Sequence, residues 1–249
     1  MRTLIAIPVF NEEKYVPTVL AEVRKYSKEI LVIDDGSTDQ TPLLLAKQPV
    51  DVIRHARNRG YGRSLIDAFR WASCVTCKYD WLITMDCDEQ HEPASLPDFF
   101  NAIEKDDADI ISGSRYLKSP SLKPLDNGTD NPPPDRRAIN ATITEQINQT
   151  LCLKLTDSFC GYKAYRVSAL RRLSLDEAGY AFPLQFWVQA AAHNLRIKEL
   201  PIRLIYNDPN RSFGGPLDNA DHRLAHYRSV FERELTKFPG RFEVPCGAK

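Results

Sequence analysis

The chain has 249 residues, with 33 Lys+Arg against 33 Asp+Glu and a formal net charge of zero. That balance excludes a whole-molecule field drawing it to nucleic acid or anionic lipid, so any such contact is local. The length fits one large α/β domain, alone or with a C-terminal extension, and excludes neither an enzyme nor a binding protein. Six cysteines are too few for a disulfide scaffold in a chain this long and predict a reducing compartment, with cytoplasm as the default.

The opening apolar run, Leu4–Val9, is followed by Asn11-Glu12-Glu13 instead of a small-residue cleavage site, so it reads as a buried strand. Helical spacing near Lys14–Tyr26 comes next, then a strand at Ile30–Ile33, a helix near Thr41–Lys47 and a strand at Val50–Arg54. A helix near Gly62–Cys74 precedes a strand at Trp81–Met85, and one near Ala94–Lys105 precedes a strand at Asp109–Ser112. This βαβ alternation predicts an α/β fold whose central sheet is mostly parallel with helices on both faces.

Lys118–Asp135, rich in Pro, Asn, Asp and Gly, predicts a long loop. Helices near Arg137–Leu151 and Phe182–Asn194 and a strand at Ile197–Ile205 follow. The last predicted helix, His222–Phe238, sets Leu224, Tyr227, Phe231, Leu235 and Phe238 on one stripe, with Arg223, Arg228, Arg233 and Lys237 elsewhere. No stretch reaches the roughly 18 apolar residues of a membrane-spanning helix.

In such a fold ligands bind at the carboxyl ends of the strands. Three predicted ends carry polar clusters: Asn11-Glu12, Asp34-Asp35-Gly36-Ser37 and Asp86-Cys87-Asp88-Glu89-Gln90. Asp86, Asp88 and Gln90 alternate along an extended segment, so their oxygens converge as ligands for Mg²⁺ or Mn²⁺, which would neutralise the diphosphate of a nucleotide-sugar. An isolated Asp-x-Asp is equally a solvated turn, and convergence with the other two clusters favours the metal. Asp35 is suited to accept hydrogen bonds from a base or ribose, although Ser37 or Asp39 also reads as a helix cap. Cys74-Val75-Thr76-Cys77 lacks the second pair of a zinc site and reads as packing. No Gly-x-Gly-x-x-Gly follows the first strand, which argues against a dinucleotide-binding dehydrogenase.

Four segments, Ile7–Glu13, Val32–Asp39, Arg57–Gly62 and Met85–His91, resemble family-2 glycosyltransferases of the GT-A fold in order and spacing. Ile111–Tyr116, Asp157–Tyr162 and Glu199–Ile202 extend the resemblance toward the dolichyl/polyprenyl-phosphate mannosyltransferase branch. It implies a GT-A domain over residues 1–215, with 216–249 a helical extension packed on it or lying at a membrane surface. It also implies inverting transfer of a sugar, mannose or glucose, from a GDP- or UDP-linked donor to a polyprenyl or dolichyl phosphate. A peripheral place at the inner membrane face follows from that acceptor.

The resemblance assigns Pro8, Phe10, Asn11, Glu12, Asp35, Gly36, Ser37, Gly60 and Asp86 to the nucleotide, and Asp86, Asp88 and Gln90 to the metal. Asp88, Asp157 and Arg115 carry the catalytic roles, with Arg115 on phosphate and Asp157 lining the sugar or acceptor pocket. Arg115, Arg137, Gln185, Arg211 and Ser212 are expected on the acceptor or its phosphate.

The sequence also departs from the family pattern. Gln185 stands where the family usually has Glu, and an amide takes no proton, so an acceptor that is already an anion is favoured over a sugar hydroxyl. Asn207 and Phe213 replace usual basic residues. These departures leave two rivals: transfer to a hydroxyl in polysaccharide synthesis, and a catalytically silent nucleotide-sugar-binding protein.

Overall fold

The structure, a computed structural model, describes residues 1–74, 79–88, 91–118, 132–205 and 214–243. β1 (Thr3–Val9), β2 (Ile30–Asp34) and β3 (Asp51–Arg54) alternate with α1 (Val16–Val23) and α2 (Thr41–Leu45). α3 (Tyr61–Ala72) leads to β4 (Trp81–Thr84), α4 (Leu96–Glu104) to β5 (Ile110–Ser114), and α5 (Pro134–Leu151) to β6 (Lys163–Arg166). α6 (Val167–Leu170), α7 (Phe182–Ala192), β7 (Ile197–Pro201) and α8 (Ala220–Leu235) complete the order.

Side chains alternate across a strand, and β1 divides its residues accordingly. Leu4 and Ala6 join Leu31, Ile33 and Leu82 on the face covered by α3, α5, α7 and α8. Ile5 and Ile7 join Val32 and Ile83 on the opposite face, beneath α1 and α4. Both faces are thereby dry, which is why the strands read as continuous apolar runs.

The sheet order is β3-β2-β1-β4-β6-β5-β7. β1 pairs in parallel with β2 and β4, β2 with β3, and β5 with β7. β6 runs antiparallel to both its neighbours, with Lys163 opposite Thr84 on one side and Ser112 on the other. Its first residue therefore sits at the carboxyl edge of the sheet. The predicted, mostly parallel, doubly covered sheet is present, but β6 and α6 are additions to it. Lys163-Ala164-Tyr165-Arg166 is four residues long with a base at each end, too short and too polar to read as a buried strand.

Other boundaries also moved. β7 ends at Pro201, short of the predicted Ile205, and α5 begins at Pro134 instead of Arg137, because Pro is favoured in a first helical turn. Residues 119–131 of the predicted loop lie outside the described residues, as does Cys77. Cys87 and Cys160 are buried, and Cys152 is disulfide-bonded, so the expectation of a wholly reducing environment does not extend to that residue.

α8 is integral to the core. Tyr227, Val230 and Phe231 are buried, and the Tyr227 ring lies 4.9 Å from that of Phe159. Glu234, fully buried, accepts from Gln185 Nε2 at 2.9 Å and Gln189 Nε2 at 2.7 Å. Arg223, expected off the apolar stripe, is only 2% exposed. Among the described residues no helix is long and apolar enough to cross a membrane.

Asp109 ties the far edge of the sheet together. It accepts from the Arg196 backbone N–H at 3.0 Å and from Arg196 Nη2 at 2.9 Å, just ahead of β7, and from Arg166 Nε of β6 at 3.1 Å. The Arg196 hydrogen bonds, only partly opposed by burial, hold its carboxyl down at about 2. A depressed carboxyl contributes stability that is present above the unfolded-chain value and lost as pH falls through the folded one. Asp109→Asn is therefore expected to cost about 2 kcal/mol at pH 7, with the gap from wild type closing between pH ~4 and ~2, as urea unfolding across that range will measure. Glu234→Leu, which takes an acceptor from two buried amides, is expected to cost about 2 kcal/mol within one cooperative transition. A separate early melting of α8 would contradict its place in the core.

Candidate active site

The turns after β1 and β2 are laced together by their own side chains. Asn11, at φ 56°, donates its backbone N–H to Ser37 Oγ at 2.9 Å, and its Oδ1 accepts from the Thr38 N–H at 2.8 Å. The Glu12 N–H reaches Thr41 Oγ1 at 2.9 Å, and Ser37 N–H reaches Asp34 Oδ1 at 2.9 Å. Ser37 thus shapes the loop. Gly36, at φ 76°, allows the neighbouring turn to close in, since a Cβ there would lie 2.4 Å from the Arg57 carbonyl carbon.

Asp35 is the centre of the next turn. Its Oδ1 accepts from the Arg59 N–H at 2.8 Å and Oδ2 from the Gly60 N–H at 2.8 Å. Gly60, at φ 100°, packs so tightly that a Cβ would be 2.4 Å from the Ala178 oxygen. These turns bound one half of a cleft of about 880 Å³, lined by Pro8, Phe10, Asn11, Glu12, Asp35, Asn58 and Gly60. Gly36 and Ser37 do not line it.

Asp86 and Asp88, just past the end of β4, line the middle of the cleft. The Asp86 backbone N–H donates to His91 Nδ1 at 2.9 Å. Burial, partly opposed by the Asp88 charge, pushes the His91 pKa down to about 4, so at pH 7 the ring is neutral, as an accepting Nδ1 requires. Tyr61 donates its hydroxyl to Asp86 Oδ1 at 3.2 Å and stacks on Tyr180 with centroids 5.9 Å apart. Gly161 abuts both groups, since a Cβ would meet the Tyr61 hydroxyl at 2.7 Å and Asp86 Oδ2 at 2.8 Å.

Two carboxylates facing a cleft at alternate positions offer hard oxygen donors. Mg²⁺ or Mn²⁺, which keep waters and phosphate oxygens in their shells, fit such a donor pair. Among the described residues no cluster of three His, Cys, Asp or Glu completes it, and Gln90 lies outside those residues.

The remaining half of the cleft is basic and apolar. Arg115, after β5, lines it and forks onto Asp157, with Nε to Oδ2 at 2.6 Å and Nη2 to Oδ1 at 2.9 Å. Asn140 Nδ2 adds a bond to Asp157 Oδ1 at 2.9 Å. Burial alone would raise the Asp157 pKa, but the Arg115 charge and these hydrogen bonds reverse it to a lowered value. Asp157, expected to line the pocket, is instead fully buried behind Arg115. A carboxylate so engaged orients the guanidinium and is a poor proton acceptor.

Arg136, Ile139, Phe159, Leu204, Arg223 and Tyr227 line the same half. Arg137, expected there, is exposed on α5 outside the lining, and its neighbour Arg136 takes the place. Gln185 is fully buried, accepts from the Asp176 and Glu177 N–H groups at 2.8 Å, and does not line the cleft. Its amide joins α7 to α8, where a ligand cannot reach it. Asn207, Arg211, Ser212 and Phe213 lie outside the described residues. Sequence reasoning missed Tyr61, Tyr180, Arg136 and Arg223. Only Arg223 carried a usable signal, its spacing of four from Tyr227, which puts both on one helical face.

A doubly covered α/β sheet, with carboxylates at its strand ends facing arginines across one cleft, defines a nucleotide-sugar-binding protein of the GT-A class. The chain belongs to glycosyl transferase family 2, whose model matches residues 4–174. It is 33% identical over 222 residues to undecaprenyl-phosphate mannosyltransferase of Micrococcus luteus, covering 85% of this chain and 87% of that one. Polyprenol monophosphomannose synthase of Mycolicibacterium smegmatis is 29% identical, over 81% of this chain and 76% of its own. Among solved structures, glucosyl-3-phosphoglycerate synthase from Mycobacterium tuberculosis, in complex with Mn²⁺, UDP-glucose and phosphoglyceric acid, superposes with a TM-score of 0.71 at 14% identity. That match spans 94% of this chain and 80% of the synthase, and it establishes the fold.

The tight fit at Gly161 yields a direct test. Gly161→Ala is expected to displace Asp86 or Tyr61 and to lower sugar-nucleotide turnover at least about tenfold, with the chain still folded by circular dichroism. Unchanged turnover would mean that the Asp86–Tyr61 contact has no part in the reaction.

Proposed function

We propose that the protein transfers a hexose from a nucleoside-diphosphate-sugar to a polyprenyl phosphate in a single inverting displacement. The observation that carries this reading is the composition of the acceptor half of the cleft. Arg115, Arg136 and Arg223 stand there beside Ile139, Phe159, Leu204 and Tyr227, a combination suited to an anionic head with an apolar tail. The relatives named for undecaprenyl-phosphate and polyprenol mannose transfer support the same acceptor class.

The nucleoside would lie against Pro8, Phe10, Glu12 and Asp35, and its diphosphate would point toward Asp86 and Asp88. A divalent ion held by Asp86 and Asp88, with Gln90 as the expected third ligand, would neutralise the departing diphosphate. Arg115, locked by Asp157, would hold the acceptor phosphate in line with the anomeric carbon. An acceptor oxygen that is already anionic forms the new glycosidic bond as the bond to the nucleoside diphosphate breaks, so no general base is required. Gln185 and the engaged Asp157 are consistent with that economy. With a lipid acceptor the protein would work peripherally, at the cytoplasmic face of a membrane.

GDP-mannose or UDP-glucose, one and not both, is expected to raise the melting temperature, and only with Mn²⁺ present. Purified protein should then glycosylate undecaprenyl phosphate. Asp88→Ala is expected to lower that turnover by about a hundredfold or more while melting near wild type. Transfer to sugar hydroxyls with none to the lipid phosphate would overturn the acceptor; no shift with any donor would overturn the enzyme.

A further inference from the structure

His55 follows β3 by one residue and is buried, at 6% exposure, between two carboxylates. Its Nδ1 lies 2.6 Å from Asp35 Oδ1 and its Nε2 3.1 Å from Asp67 Oδ2. Asp67, on α3, is held in turn by Arg63 Nε at 2.8 Å and Arg70 Nη1 at 3.2 Å. The His55 backbone N–H also donates to the Asp34 oxygen at 2.8 Å. A continuous chain of contacts thus runs from the surface of α3, through the imidazole, to the carboxylate expected to meet the donor base.

The effect on Asp35 follows from counting lone pairs. Each carboxylate oxygen accepts about two hydrogen bonds. Oδ1 takes His55 and the Arg59 N–H, which fills it, whereas among the described residues Oδ2 takes only the Gly60 N–H. An Asp carboxylate rotates freely about its last torsion unless its partners prevent it. With Oδ1 pinned from the protein side, Oδ2 is the acceptor left for a group in the cleft that Asp35 lines.

We propose that His55, backed by Asp67, is a positioning residue for the donor nucleoside: it fixes the Asp35 plane so that Oδ2 is presented to an N–H of the base. The inference rests on the donor reading above. It predicts that the device acts on the base alone and leaves recognition of the phosphates untouched.

Calorimetric titration of GDP, UDP and inorganic pyrophosphate, each with Mn²⁺, tests it on wild type, His55→Phe and Asp67→Asn. His55→Phe is expected to weaken the preferred nucleoside diphosphate about tenfold, as loss of an ordered charge-assisted hydrogen bond does, and to narrow the GDP-to-UDP preference. Pyrophosphate affinity should stay within about twofold. Asp67→Asn should move the nucleotide in the same direction by less, and it alone decides the matter if His55→Phe does not fold. Equal weakening of pyrophosphate and nucleotide would overturn the proposal in favour of a general structural role. Unchanged nucleotide affinity in a folded variant would overturn it outright. A wild type that binds pyrophosphate but neither nucleotide would reject the donor reading itself, and the role of His55 with it.

Discussion

The site depends on a single reversal of direction within the sheet. β6 enters antiparallel between β4 and β5, so the segment leading into it, residues 157–162, crosses the carboxyl edge where the strand-end clusters lie. At one end of that segment Asp157 forks onto Arg115 from β5. At the other, Gly161 leaves space for Asp86 from β4, and its oxygen accepts from Thr84 Oγ1 at 2.7 Å. An all-parallel connection would deliver the amino end of the strand to the opposite edge and leave β4 and β5 unlinked at the cleft. The reversal joins the Asp86 carboxylate to the Arg115 guanidinium, proposed to face diphosphate and acceptor respectively, through six residues of chain.

Charge is separated across the cleft on this frame. Glu12, Asp35, Asp86 and Asp88 line the part proposed for the donor, and Arg115, Arg136 and Arg223 line the part proposed for the acceptor. The two sides are stabilised differently. Asp35 is satisfied by backbone N–H groups and His55, and Arg115 by a fully buried carboxylate. Both are held by protein partners without a ligand, and preorganisation of that kind makes polar groups effective at a reacting centre. Asp157 is best understood within this scheme. Truncating it would leave a largely buried guanidinium uncompensated, so its removal costs more than the bond it makes.

Much of this was legible in the sequence because it is local. The apolar runs Leu4–Val9 and Ile30–Ile33, and the polar clusters after them, are written in consecutive residues, and the parallel α/β sheet follows from their alternation. What stayed hidden is non-local. Lys163–Arg166 becomes a strand because β4 and β5 flank it, although its own four residues carry no strand signal. Gln185 was legible as a departure from the family pattern but not as a brace, because its partner Glu234 is 49 residues away on α8. Arg137 and Arg136 are indistinguishable by type, and only the phase of α5 against the cleft selects the second. His55 gave no signal, since a single histidine after an edge strand is informative only when its two carboxylates are seen.

The limits of the family match divide the cleft in a way that bears on specificity. The lining residues from Pro8 to Asp88, proposed for the donor, lie wholly within residues 4–174, as do Arg115, Arg136 and Phe159. Gly179, Tyr180, Pro183, Leu204, Arg223 and Tyr227 lie beyond it. Arg223 binds Asp135 at 2.6 Å and the Leu217 oxygen at 2.8 Å, so α8 is fastened to the start of α5, next to Arg136. The shared family segment therefore supplies the proposed nucleotide side and part of the proposed acceptor wall, while residues of α7 and α8 complete the lining. A sheet whose donor turns are fixed by backbone bonds tolerates little change there. A helix packed across the opposite rim can exchange an arginine or a tyrosine without disturbing those turns, and acceptor choice is the property such exchanges would alter.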